Sequence, residues 1–182
     1  DILSTRTKTV GVIEKNISIN DELEFKLIDV GGQRSERRKW VSLFKGITLV
    51  IFLAAASDYN KLCYEDDETN RMTENFSLFQ EIVNNPLFSQ TPFVILFNKM
   101  DVFREKIEAG QSIKEAFPEY DGAQNCDESI DFIKEKYKLA RANFVRLDCF
   151  ETMATDTEEL SKVFDEIKKI ISGLIENYEK SV

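Results

Sequence analysis

The sequence predicts an α/β fold in which a mostly parallel sheet carries helices on both faces. Two observations support this prediction: strand patterns alternate with helical patterns along the chain, and several strand patterns are continuously apolar, as in parallel strands buried on both faces. The 182 residues show no internal repeat and no linker. They are enough for one domain, residues 1–182, with a sizeable core.

Five segments have the pattern of a strand. They are Val10–Ile19, Leu23–Val30, Thr48–Ala56, Pro92–Phe97 and Asn143–Phe150. The first is predicted to be an edge strand antiparallel to the second, and the second stops at a pair of glycines. The next two are continuously apolar, which is typical of parallel strands with both faces covered.

Three segments place apolar residues at helical spacing. They are Asn70–Val83, Glu128–Leu139 and the stretch from Leu160 to Tyr178. Asp156 and Thr157 offer capping oxygens just before the last one. Alternating strands and helices indicate βαβ units.

The composition excludes several classes of function. The chain has no histidine, so it has no Ser-His-Asp or Cys-His triad and no His-ligated zinc. A net charge of −9 argues against nonspecific nucleic-acid binding. The longest apolar run, Leu49–Ala56, is far too short to cross a bilayer. Three widely spaced cysteines fit reduced thiols in the cytosol.

The first polar cluster lies at the end of a predicted strand, where ligands of open α/β sheets bind. Asp29 is suited to hold Mg²⁺ through water, and Gly31 and Gly32 let the backbone approach a phosphate oxygen. Gln33 can orient a water molecule without taking its proton. By itself, this pattern is equally typical of an ordinary strand-ending turn.

Two further clusters follow predicted strands. In Asn98-Lys99-Met100-Asp101, a carboxylate can accept the two adjacent N–H groups of guanine, and the Lys99 methylenes can lie along the base. In Thr152-Met153-Ala154-Thr155, the backbone N–H near Ala154 can donate to a base carbonyl. Alone, the second cluster is also typical of a helix cap. A fourth stretch, Ser4–Thr9, has the composition of a surface loop.

In this order and spacing, the four clusters resemble the carboxyl-terminal part of the GTPase domain of heterotrimeric G-protein α subunits, a Ras-like P-loop GTPase fold with three layers. The resemblance runs from Asp1 to about Tyr178. Its most specific stretches are DVGGQRSERRKW (29–40), EDDETNRM (65–72), FNKMD (97–101) and TMATDT (152–157).

The resemblance implies a role for each matching residue. Arg6 is the built-in arginine finger and Gln33 places the attacking water, so these two residues are the catalytic pair. The nucleotide-binding residues are Lys8, Thr9, Asp29, Gly32, Asn98, Lys99, Asp101 and Ala154. Among them, Thr9 binds Mg²⁺ directly, Asp29 binds it through water, and Gly32 contacts the γ-phosphate.

The resemblance also implies partners and a location. GTP and GDP are substrate and product, with Mg²⁺ as cofactor. Arg34 to Trp40 is the second switch helix, and its basic residues face a βγ dimer, effectors or RGS-type regulators. A G-protein-coupled receptor is a further implied partner. No nucleic-acid partner is expected. The location is cytoplasmic, peripheral on the inner face of the plasma membrane through an amino terminus absent from this chain.

The sequence also departs from the family. It contains no G-x-x-x-x-G-K-[ST], so the phosphate loop is missing from this chain. The family's first strand, which lies in the middle of its sheet, is missing too, as are its inserted helical domain and amino-terminal helix. The chain begins in mid-pattern at Asp1, which indicates a fragment. Because the phosphate loop is missing, we expect this piece alone to be inactive.

Three functions therefore remain open from the sequence. The first is a piece of a regulatory GTPase that relays signals from receptors to effectors. The second is a truncated, non-hydrolysing module that docks partners. The third is an unrelated nucleotide or flavin binder of doubly wound fold, which leaves Asn98-Lys99-Met100-Asp101 unexplained.

Overall fold

The computed structural model describes residues 9, 11–18, 24–141 and 144–179, with side chains up to residue 176. Two compact units are distinguished along the chain. One comprises residues 1–47 and 168–182, and the other comprises residues 48–167. The strands form two sheets, one with two strands and one with three.

The first unit contains a β-hairpin. Strand β1, Val12–Ser18, pairs antiparallel with β2, Glu24–Val30, in a register that places Val12 opposite Val30. This confirms the predicted antiparallel edge strand. Gly31 and Gly32 follow β2, and a 3₁₀ segment, Arg37–Leu43, follows them. The predicted helix over Arg34 to Trp40 is therefore present as a 3₁₀ helix, but it begins three residues later, at Arg37, because residues 34–36 form a turn.

The second unit contains a parallel sheet in the order β3-β4-β5. The strands are Val50–Ala55 (β3), Phe93–Asn98 (β4) and Leu147–Thr152 (β5). The register aligns their last residues, with Ala55 beside Asn98 and Asn98 beside Thr152. The carboxyl ends of the three strands therefore meet along one edge of the sheet.

Only the central strand has the predicted double-sided burial. The first five residues of β4 are all buried. In β3, Phe52 and Ala54 are buried whereas Leu53, on the opposite face, is 59% exposed. Strand β3 is an edge strand of its sheet, so its second face has less cover than the sequence pattern suggested. The last strand begins at residue 147 rather than 143.

Four α-helices occur in the described residues. They are Arg71–Val83 (α1), Met100–Glu108 (α2), Cys126–Leu139 (α3) and Thr157–Glu179 (α4). Side-chain oxygens of Asn70, Asn125 and Asp156 accept backbone N–H bonds at three helix starts. Helices α1, α3 and α4 confirm the predicted helices, and the Asp156 cap confirms the predicted start of α4.

Helix α2 was not predicted from the sequence. Its buried residues Met100, Phe103 and Ile107 lie at i, i+3 and i+7, but the helix has only nine residues. It also starts without a capping side chain, since the preceding Lys99 has a left-handed backbone conformation. The helix is short, and it lacks the capping side chain that usually marks a helix start, so the sequence pattern did not reveal it.

An aromatic cluster fills the core of the second unit around Tyr137. The Tyr137 ring is 5.1 Å from Phe76, 5.1 Å from Phe79 and 5.3 Å from Phe97 by centroids. Its hydroxyl donates to Asn75 Oδ1 at 2.6 Å. Burial raises the pKa of this phenol, so it stays protonated at any physiological pH. The cluster joins α1, α3 and β4.

We predict that Tyr137→Phe lowers the free energy of unfolding by about 1 kcal/mol, because Asn75 Oδ1 loses its donor while the ring packing stays. Tyr137→Ala should cost about 3–5 kcal/mol through the cavity it leaves. Urea unfolding of the chain measures both values. Tyr64→Phe is the control, since Tyr64 is 74% exposed and the change should stay within about 0.5 kcal/mol. Equal costs for Tyr137→Phe and Tyr64→Phe would contradict the role of the buried hydroxyl.

Candidate nucleotide-binding residues

The carboxyl edge of the parallel sheet holds one group of the predicted site residues. Asn98 ends β4, and its Oδ1 accepts the backbone N–H of Ala154 at 2.9 Å. The Thr152 hydroxyl donates to the same oxygen at 3.4 Å. The Asn98 side chain thus fixes the loop after β5 beside the end of β4. Sequence reasoning placed Asn98 and Ala154 in one site, and the structure brings them into contact.

Lys99 and Asp101 continue this edge. Lys99 has φ +64°, a left-handed conformation that few residues other than glycine adopt. This turn ends the strand abruptly and starts α2 one residue later. Asp101, in the first turn of α2, is exposed, as is Ala154. An open carboxylate therefore lies one turn away from the Asn98–Ala154 contact.

A buried carboxylate that the sequence analysis missed lies next to this edge. Asp58 follows β3 in a 3₁₀ segment, Ala56–Asn60, and only 12% of its side chain is exposed. Its oxygens are 3.0 Å from Lys61 Nζ, 3.4 Å from Arg71 Nη1 and 3.8 Å from Lys99 Nζ. Only Lys61 is a local partner, at i, i+3, whereas Arg71 and Lys99 come from distant parts of the chain, so no local motif indicates the whole cluster.

Burial raises the pKa of Asp58 by itself. The hydrogen bond from Lys61 and the charges of Lys99, Lys61 and Arg71 outweigh burial, so this pKa lies below its usual value. Asp58 is therefore ionised at neutral pH. Burial also lowers the pKa of Lys106, and so does the nearby charge of Lys61.

The first unit holds the other group of predicted residues. Asp29 is exposed at the end of β2, and Gln33 is half-buried three residues after Val30. Thr9 lies beside the turn that follows β2, because its carbonyl oxygen is 2.6 Å from the point where a Cβ on Gly31 would lie. Arg6 and Lys8 lie outside the described residues, so their predicted roles stay predictions.

The two glycines of this turn are constrained differently. A Cβ at Gly31 would lie 2.6 Å from the Thr9 carbonyl oxygen and 2.9 Å from Glu36 Cγ, closer than van der Waals contact allows. A Cβ at Gly32 would meet no atom within 4 Å. The protein itself therefore requires glycine at position 31, whereas the space at position 32 is open.

Four hydrogen bonds hold the segment after these glycines. Trp40, which is 8% exposed, donates its indole N–H to the Gly31 carbonyl at 3.1 Å. Arg37 Nε donates to the Gly32 carbonyl at 3.2 Å. Glu36 Oε2 accepts the Gly11 N–H at 2.8 Å and Lys39 Nζ at 2.7 Å. These donors, the Lys39 bond first, lower the pKa of Glu36.

The oxygen ligands available in this unit suit a hard cation. Asp29 supplies a carboxylate and Thr9 a hydroxyl, which are ligand types that Mg²⁺ prefers. No cluster of three acidic, cysteine or histidine side chains with metal-site geometry occurs in the described part of the chain. A Mg²⁺ ion at Thr9 and Asp29 would therefore need water or phosphate oxygens to complete its coordination. Within the same part of the chain, no helix is long and apolar enough to span a membrane.

We predict opposite outcomes for alanine at the two glycines. Gly31→Ala should lower the free energy of unfolding by about 1–3 kcal/mol, because its methyl group must displace the Thr9 carbonyl or Glu36. Gly32→Ala should leave this free energy unchanged within about 0.5 kcal/mol. Denaturant unfolding followed by the emission of Trp40 reports on this unit, since its indole is bonded to Gly31. Equal destabilisation by both variants would contradict the difference in space.

Comparison with known proteins identifies the family. The family model for the G-protein alpha subunit matches residues 1–171. The "Guanine nucleotide-binding protein alpha-2 subunit" of Caenorhabditis briggsae is 42% identical over 94% of this chain and 48% of its own length. The "Guanine nucleotide-binding protein G(o) subunit alpha" of Lymnaea stagnalis is 41% identical over the same shares. The alpha-17 subunit of Caenorhabditis elegans is 41% identical over 100% of this chain and 50% of its own length.

The chain spans about half the length of these curated relatives. The family match covers the strands, the glycine turn and the Asn98–Asp101 edge together. With its parallel sheet and helices, the chain has the α/β architecture of the Ras-like P-loop GTPase fold. It belongs to the G-protein α subunit family.

Proposed function

We propose that this chain is part of a guanine-nucleotide-dependent molecular switch that hydrolyses GTP to GDP and phosphate. The observation that carries the proposal is the edge formed by Asn98, Asp101 and Ala154. The Asn98 Oδ1 accepts the Ala154 N–H at 2.9 Å, and Asp101 and Ala154 are both exposed. Family membership supports the same function.

Guanine recognition follows from the chemistry of this edge. The Asp101 carboxylate accepts the N1–H and 2-amino protons of guanine, a donor pair that adenine lacks. The Ala154 N–H is already used by Asn98, so a second, bifurcated bond or a neighbouring N–H of that loop reaches the base carbonyl. Lys99 lies along the base through its methylenes.

Phosphate and metal binding belong to the glycine turn. The Gly32 N–H contacts the γ-phosphate, and the open space at this position leaves room for a phosphate oxygen. Thr9 and Asp29 hold Mg²⁺, the first directly and the second through water. The bound ion neutralises charge on the phosphates. Lys8 contributes to nucleotide binding on the same stretch as Thr9.

Hydrolysis uses Gln33 and Arg6. The Gln33 amide both donates and accepts hydrogen bonds, so it orients the attacking water towards the phosphorus. Arg6 neutralises the charge that spreads over the transferred phosphoryl group, the role known for the arginine of G-protein α subunits as a class. Loss of the γ-phosphate then releases the segment that follows Gly32, including the Arg37 contact to its carbonyl.

The partners follow from the family. The exposed basic residues Arg34, Arg38 and Lys39 face a βγ dimer in the GDP state. Effectors and RGS-type regulators use the same segment in the GTP state, and a G-protein-coupled receptor promotes nucleotide exchange. The protein acts in the cytoplasm, peripherally on the inner face of the plasma membrane.

A second function is favoured by one observation, the absence of G-x-x-x-x-G-K-[ST] from this sequence. Without a phosphate loop, the chain would be a non-hydrolysing module that docks partners. The two functions differ in turnover. The full-length protein binds GTPγS and releases phosphate from GTP in the first function, and does neither in the second.

We predict that Gln33→Leu and Arg6→Cys in the full-length protein each slow GTP hydrolysis by about 10³-fold, the effect that loss of an arginine finger has in such enzymes. GTPγS binding should change little, because both side chains act on the transition state. Single-turnover phosphate release measures the rate. Gln80→Leu, the same change at an exposed position of α1, is the control and should keep the wild-type rate. Wild-type turnover in either variant would remove that residue from the mechanism.

We predict that Asp101→Asn changes the base preference from guanine to xanthine. An amide offers one acceptor and one donor, which matches the 2-oxo group of xanthine and leaves a guanine donor unpaired. Preference for GTP over XTP should fall by about 10⁴-fold, measured by competition binding. The control is Asp127→Asn, because Asp127 is the second residue of α3 as Asp101 is of α2, and both are exposed. An unchanged preference would mean that another residue reads the base.

A further inference from the structure

The Asp58 carboxylate lies between two structural cations and one cation of the base-reading edge. Lys61 Nζ is 3.0 Å from its Oδ1, and Nη1 of Arg71, at the start of α1, is 3.4 Å from its Oδ2. Lys99, on the edge itself, is 3.8 Å away. Neither family membership nor the guanine chemistry of Asp101 assigns Asp58 a task.

We propose that Asp58 is a positioning residue that holds the Lys99 side chain in place for the guanine base. This proposal rests on the proposed nucleotide-binding function. Asp58 does not touch the nucleotide. It acts through Lys99, whose ammonium group it attracts so that the four methylenes stay along the edge of the sheet.

The Asp58 carboxylate is itself held rigidly. The Ser57 carbonyl accepts Lys106 Nζ at 2.8 Å, which ties the Asp58 backbone to α2. The Tyr59 carbonyl accepts Asn70 Nδ2 at 2.6 Å, which ties it to α1. The ring of Tyr59, fully buried, packs edge-on against Phe103 of α2 at 5.7 Å. Because the residues before and after Asp58 are both held in place, its carboxylate can restrict a flexible partner.

Lys99 is the flexible partner in this arrangement. About 45% of its side chain is exposed, compared with 13% for Arg71. A lysine side chain of this exposure samples many rotamers and loses up to about 2 kcal/mol of conformational free energy when a ligand orders it. Attraction to Asp58 removes part of this cost before the base binds. The left-handed backbone at Lys99 fixes where the side chain starts, and Asp58 limits where it ends.

The cations around Asp58 differ in how much they depend on its carboxylate. Arg71 also donates its Nε to the Leu62 carbonyl at 2.7 Å and stacks on Tyr64 at 3.9 Å, so it remains anchored without Asp58. Lys61 is 42% exposed and forms an ordinary i, i+3 pair. Removing the carboxylate charge should therefore affect Lys99 more than the fold around Arg71.

A double-mutant cycle in the full-length protein tests the proposal. The variants are Asp58→Asn, Lys99→Met and the two together, and the measurement is the dissociation rate of fluorescent GDP. Asp58→Asn should raise this rate roughly threefold to fivefold, the upper part of the range expected for a partly exposed ion pair. In the Lys99→Met background, the same change should raise it less than about twofold. In a Lys61→Met background, the full effect should remain.

A second measurement distinguishes positioning from general disruption of the site. Lys99 lies along any purine, whereas Asp101 recognises the 2-amino group that IDP lacks. Asp58→Asn should therefore weaken the binding of GDP and of IDP by the same factor, so the ratio of the two affinities should stay unchanged. Glu151→Gln is the matched control, since Glu151 is also a partly buried carboxylate paired with lysine, Lys134 at 2.6 Å. Its GDP dissociation rate should equal that of the wild type.

Each outcome decides between the alternatives. The positioning role is overturned if Asp58→Asn raises the GDP dissociation rate equally with and without Lys99. It is also overturned if the ratio of the GDP and IDP affinities changes. Either result would indicate a structural role. If Asp58→Asn does not fold by circular dichroism, Asp58→Glu replaces it, with a smaller increase that again depends on Lys99. A wild-type protein that binds no guanine nucleotide would overturn the proposed function, and this inference with it. Wild-type binding with no effect at Asp58 would overturn this inference alone.

Discussion

The parallel register of the three-stranded sheet is the constraint on which the proposed base-reading residues depend. Because Ala55, Asn98 and Thr152 end their strands side by side, the three connections that follow must start from one edge. Those connections carry Asp58, Lys99 and Ala154. A shift of β4 by one residue would turn Asn98 to the other face and break its bond to the Ala154 N–H. Full burial of the first five residues of β4 makes such a shift costly, so the apolar core determines the geometry of a polar site.

The oxygen of the Asn98 side chain is bonded within the protein. Its oxygen accepts bonds from the Ala154 N–H and the Thr152 hydroxyl, both on the neighbouring strand or its loop. The residue therefore joins the end of β4 to the end of β5 and the loop that follows it. Asp101 and Ala154 are exposed, and in the proposed function they are the groups that meet the base. In such an arrangement, a substitution at Asn98 disturbs several ligand-facing groups together.

The fold was largely predictable from the sequence, whereas the electrostatics of the site were not. Strands and three helices followed from runs of apolar residues at regular spacing, and Asp156 marked the start of α4. Helix α2 escaped because a left-handed residue, rather than a capping side chain, begins it. The cluster around Asp58 escaped because two of its cations, Arg71 and Lys99, are distant in sequence, and spacing reveals only local pairs such as Asp58 and Lys61. Exposure of Leu53 escaped because an apolar run cannot show whether a strand is central or at an edge.

The energetics of the Asp58 cluster explain why a carboxylate is found where an apolar residue would fit. A buried ion pair contributes little net stability, because removing both charges from water costs about as much as their attraction returns. Its geometry, however, is directional, since oxygens at 3.0 to 3.8 Å from three cations restrict where each cation can lie. All three cations, Lys61, Arg71 and Lys99, offset the cost of burying the carboxylate. The third, Lys99, is left half exposed on the edge of the sheet, where a fixed orientation matters only if something binds there.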